Sequence, residues 1–172
     1  MDGKRRQKRN KYMDLIMKND KVRKGFEDSW YIHCRMFGDI LEPAFKDDTA
    51  SRLELTAALN FISRGEISKG LKKLDKLFEF CETDEDFAAF YFFMGVCYER
   101  MGMSLNAGMF FAESAKREPA FYMVYLMLAK CLHSEKRYEA ALGAYIHTLD
   151  VIEKSPKTVS YTHLTLPTNS LV

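Results

Sequence analysis

Through the middle of the chain, large apolar residues return every three or four positions, the spacing of one face of an α-helix. Tyr91, Met94, Gly95 and Tyr98 stand at i, i+3, i+4 and i+7 and so share a stripe. The small residue in that stripe lets a second helix approach closely. Ala107, Phe111 and Ser114 form the stripe of that second helix, and Glu118-Pro119 predicts its end, because proline disfavours helix in the residue before it. An antiparallel helical hairpin is the expected unit. Upstream, Phe26, Trp30, His33 or Cys34, Phe37, Ile40 and Leu41 form another apolar stripe, interrupted at Glu42-Pro43. The acidic run Thr83-Asp84-Glu85-Asp86 suits a helix N-terminus.

The hairpin recurs. Ala88–Phe121 lies over Tyr122–Ser155 at a spacing of 34 without a gap, which is the signature of a repeat architecture. Tyr91 then matches Tyr125, Met94 matches Leu128, Gly95 matches Ala129, Tyr98 matches Leu132, Ala107 matches Ala141, Phe111 matches Tyr145, and Ser114 matches Thr148. A weaker unit begins near Ser51, with Gly65 in its turn as Gly102 is in the next, and with Ala57, Ala58 and Phe61 expected to face Gly70, Leu74 and Leu77. About three extra residues around Glu82–Asp86 separate it from Ala88. The pattern resembles the tetratricopeptide repeat (TPR), W-x2-L-G-x2-Y, then A-x3-F-x2-A, then a proline. The resemblance covers about 105 residues, about three-fifths of the chain. It departs from the pattern in the last unit, where Leu132 replaces the second tyrosine and the proline falls late, at Pro156.

The expected fold is therefore all-α, with TPR-like helical hairpins stacked as a short right-handed solenoid. Residues 1–24 are a basic arm, 25–50 an N-terminal helix serving as cap or divergent repeat, 51–87 a degenerate TPR, and 88–121 and 122–157 two TPR units. In such proteins the first helix of each hairpin lines a concave groove. The resemblance places Phe92, Phe93, Val96, Glu99 and Arg100 there, followed by Met123, Leu126, Met127, Lys130 and His133. One subfamily grips a partner's terminal carboxylate with polar residues at these positions, and Phe92, Phe93 and Val96 depart from it. The implied occupant is an apolar helix or extended segment of another protein, unless the helix bearing Trp30 fills the groove internally.

Composition leaves this picture standing. The chain of 172 residues is 47% apolar and 29% charged, the balance of a globular domain with a core. No uncharged apolar stretch reaches bilayer-spanning length. Cys34, Cys81, Cys97 and Cys131 are widely separated, without a C-x-x-C pair or a histidine at ligand spacing, and read as buried, reduced thiols of a cytoplasmic protein. No phosphate-binding glycine loop, H-E-x-x-H or G-x-S-x-G occurs. The expectation is a binding module without metal or cofactor, and not an enzyme. One feature points to nucleic acid: residues 1–24 hold ten Lys or Arg against three Asp, a net of +7, against −5 for the remainder. Aromatics for base stacking are missing there apart from Tyr12, so protein or peptide is the leading partner class. The helical part of a larger regulatory or catalytic protein is the further alternative.

The last fourteen residues, VSYTHLTLPTNSLV, carry no Asp, Glu, Lys or Arg. Val159–Thr168 resembles one reading frame of a transposase adapter used in sequencing libraries. Residues 158–172 are therefore expected to be non-native, with the natural chain continuing beyond about Lys157. A stack cut there should expose Tyr138, Leu142, Tyr145 and Leu149, a surface open to self-association.

Overall fold

A computed structural model of the chain describes residues 17–46 and 48–154. Most of the basic arm and the whole charge-free tail lie outside the described residues. Those described form seven helices and no strand: α1 (Asp20–Leu41), α2 (Thr49–Ser63), α3 (Ile67–Phe78), α4 (Asp84–Arg100), α5 (Ser104–Arg117), α6 (Tyr122–Ser134) and α7 (Tyr138–Lys154). Each packs on the next, and α1 also reaches α4. Among the described residues no helix is long and apolar enough to cross a membrane.

Three turns of one construction pair the helices α2 with α3, α4 with α5, and α6 with α7. In each, a residue with positive φ follows the helix end: Gly65 (78°), Gly102 (75°) and Lys136 (59°). The amide of that residue donates to the carbonyl three positions back, and the next amide donates five positions back, as Gly102 N–H does to Glu99 and Met103 N–H to Tyr98. This Schellman arrangement uses carbonyls that the helix itself leaves unpaired. Because the turns are so short, paired helices run antiparallel.

Small residues set the closest approaches. A Cβ added to Gly95 would lie 2.7 Å from the Phe111 ring, and one added to Gly70 would lie 2.7 Å from Ile62 and 3.4 Å from the Ala58 carbonyl. The α2 stripe facing α3 is therefore Ala58 and Ile62, continued by Leu55 and Leu59, all buried. Ala57 and Phe61, also expected there, are only partly buried, since the buried stripe runs one residue C-terminal to them; Phe61 still meets α3, where the Lys69 ammonium lies 5.6 Å from its ring centre.

The hairpin boundaries also differ from the expected ones. α4 starts at Asp84, four residues ahead of Ala88, because Thr83 and Asp86 form a reciprocal capping box. Asp86 is itself buried. One oxygen accepts from the amides of Glu82 and Thr83 at 3.1 Å each, and the other from the Phe45 amide at 2.6 Å. A single carboxylate thus starts α4 and ties the α1–α2 connection to it.

Candidate functional site

The residues assigned to packing within the repeats divide by burial. Met94, Gly95, Ala107, Phe111, Ala129 and Ala141 are buried, while Tyr91, Tyr98, Tyr125, Leu128 and Tyr145 are partly buried. Tyr98 stacks on Phe110 at 5.1 Å between ring centres, and Tyr125 meets His147 edge-on at 4.5 Å. Ser114 donates to the Ala88 carbonyl at 2.8 Å, closing α5 onto the start of α4.

The residues assigned to a groove divide into two groups. Phe92 and Phe93 are each 1% exposed, which corrects their expected place on an open groove floor. Phe37 meets them edge-on at 5.8 and 5.3 Å, and Phe92 also packs on Phe111 and Phe121. Phe37 belongs to the same helix as Trp30, so this part of the face is filled from within. The chain leaves helical geometry at Phe37, with φ −133° and ψ 28°, beside Gly38, a weak helix former. Trp30 itself packs elsewhere, under the Arg52 guanidinium at 5.1 Å.

The second group remains accessible. Val96 and Glu99 at the end of α4, and Met123, Leu126 and Met127 on α6, are partly buried, while Lys130 and His133 are exposed. Lys130 approaches Glu99 at 3.8 Å, a surface ion pair of little energetic weight. Arg100 is exposed, and its guanidinium donates to the Ile62 carbonyl at 3.4 Å. It adds a long second contact to a carbonyl that already accepts from the Gly65 amide in the turn after α2. His133 lies against Tyr138 at 5.4 Å. The accessible residues are thus apolar along both helices and charged or polar towards the C-terminal ends, at Glu99, Arg100, Lys130 and His133.

At the end of the stack, Tyr138, Leu142 and Leu149 are 59, 60 and 59% exposed, as the pattern led one to expect. Tyr145 is partly buried instead, and Ile146, 52% exposed, completes the outward stripe. Its spacing of four from Leu142 and three from Leu149 is the signal that could have identified it.

Of the cysteines expected to be buried, Cys97 and Cys131 are, while Cys34 and Cys81 are only partly buried. Burial pushes Cys81 and Cys97 up to about 12 and Cys131 up to about 11, which suits inert packing thiols. Among the described residues no group of three or more His, Cys, Asp or Glu is placed to hold a metal ion. Comparison of the chain with family models, with curated proteins and with solved structures finds no match.

Proposed function

We propose that the chain is a protein-interaction module of TPR-like hairpins in a short right-handed solenoid, holding a peptide or helix of another protein against the open face of α4 and α6. One observation carries this reading: Val96 on α4 and Met123, Leu126 and Met127 on α6 stay partly exposed on two successive first helices, while Phe92 and Phe93 of α4 are closed off by Phe37. Two flexible methionines suit a surface that adapts to its ligand. The recurring turn and the shared small-residue positions support the repeat reading.

The test is selection of binders from a displayed peptide library, followed by titration against the purified chain. Saturable binding is expected, weakened at least tenfold by Leu126→Glu or Met127→Glu with unchanged helical circular dichroism, and unaffected by Leu142→Asp. Failure to select any saturable binder, or binders indifferent to both α6 substitutions, would remove this function.

A further inference from the structure

The outward stripe of α7 can be read through the internal repeat. Shifted back by 34, Tyr138, Leu142, Ile146 and Leu149 fall on Ser104, Gly108, Ala112 and Ala115 of α5. That is the surface on which α6 sits: a Cβ at Gly108 would lie 3.7 Å from both Leu128 and Cys131. A further shift of 37 gives Ile67, Leu71, Asp75 and Phe78 of α3, and there Phe78 packs against Phe87 and Phe90 of α4 at 5.8 and 5.3 Å. On α5 this surface is partly buried under α6, whereas on α3 it is only partly covered, with Phe78 49% exposed beside α4. On α7 the same surface carries four large apolar side chains, each more than half exposed.

Charge narrows the occupant. Three exposed carboxylates, Glu139, Asp150 and Glu153, lie within about a quarter turn of the stripe, whereas Lys154 is about a third of a turn away. Two copies of α7 laid antiparallel would bring Glu139 of one opposite Asp150 or Glu153 of the other, a like-charge arrangement that disfavours self-pairing. A basic border opposite these carboxylates is complementary.

From this geometry we infer that α7 is a second docking surface, separate from the α4–α6 face, which receives an amphipathic helix of a partner protein whose apolar stripe is bordered by Lys or Arg. The incoming helix packs on α7 as α6 packs on α5. Its apolar stripe covers Leu142 and Ile146, and its cations meet Glu139, Asp150 and Glu153.

The probe is a labelled helical peptide of about 18 residues, five turns, with a Leu/Ala stripe bordered by Lys, compared with the same peptide bordered by Glu. Fluorescence anisotropy against the full chain should show saturable binding of the Lys peptide, at least tenfold tighter than the Glu peptide. Leu142→Asp or Ile146→Asp should weaken it at least tenfold, and the double variant Glu139→Lys, Glu153→Lys should reverse the preference between peptides. Leu126→Glu should leave it unchanged, so that failure of the α6 face and failure of this surface are read separately. Equal binding of the two peptides, no binding of either, or indifference to Leu142→Asp overturns the inference. Sedimentation showing a dimer of the chain alone that Leu142→Asp dissociates also overturns it, by giving the surface to a second copy, and so does a longer natural chain that no longer binds the Lys peptide, by giving the surface to the next hairpin.

Discussion

Lys136 occupies the position that glycine holds in the other two turns, with φ of 59°. A side chain in this left-handed region costs about 1 kcal/mol relative to glycine, and nothing about the turn's hydrogen bonds requires lysine. Lys136→Gly is therefore expected to raise the thermal midpoint by about 2–4 °C, the shift that about 1 kcal/mol produces in a domain of this size. A thermal melt followed by circular dichroism measures it. The thiols give a second expectation at this scale. Native Cys81 and Cys97 hold their protons up to about 12, whereas an unfolded thiol releases its proton near about 8.5. The unfolded state thus binds fewer protons than the native state above that pH. Stability is intact below it and falls as pH rises through the gap. Melting across this range should show the loss, and a thiol reagent at mildly alkaline pH should label the native chain far more slowly than the denatured one.

Among the elements, α4 is held at its start by Thr83 and Asp86. Thr83→Ala removes one side of the capping box and should cost about 1 kcal/mol. Asp86→Ala removes three backbone hydrogen bonds together, leaves the Phe45 amide buried without an acceptor, and should cost about 2–4 kcal/mol. The two losses are compared by chemical denaturation. A cost for Asp86→Ala no larger than that for Thr83→Ala would mean that the tie to Phe45 contributes nothing. This element was partly legible in advance, since a threonine followed by acidic residues marks a helix start. The tether to Phe45 was not, because the two residues lie 41 positions apart and no local pattern links them.

For the molecule as a whole, the contact of α1 with α4 decides which surface is left for a partner. Phe37→Ala should cost about 2 kcal/mol, below the roughly 3–5 kcal/mol of a fully buried phenylalanine, since Phe37 is only partly buried. Amide hydrogen exchange should then speed up in α1 and along the Phe92–Phe93 face of α4, with α6 and α7 unchanged, because coupling in a stack runs between neighbours. Uniform acceleration through all seven helices would show instead that the stack unfolds as one unit.

By itself the sequence determined the helices, the glycines of two of the three turns and the small residues at the closest approaches. All of these follow from local periodicity and from backbone or steric needs that recur at a fixed spacing. Gly95 and Ala107 could be read as contact points because nothing larger fits where two helices nearly touch. Only the tertiary structure decided that Phe92 and Phe93 belong to the core, that α1 rather than a partner covers them, and that Ile146 rather than Tyr145 completes the outward face. An apolar stripe says that a surface must be covered. Which element covers it depends on contacts between residues far apart in the chain, such as Phe37 on Phe93, and those are fixed by packing rather than by local pattern.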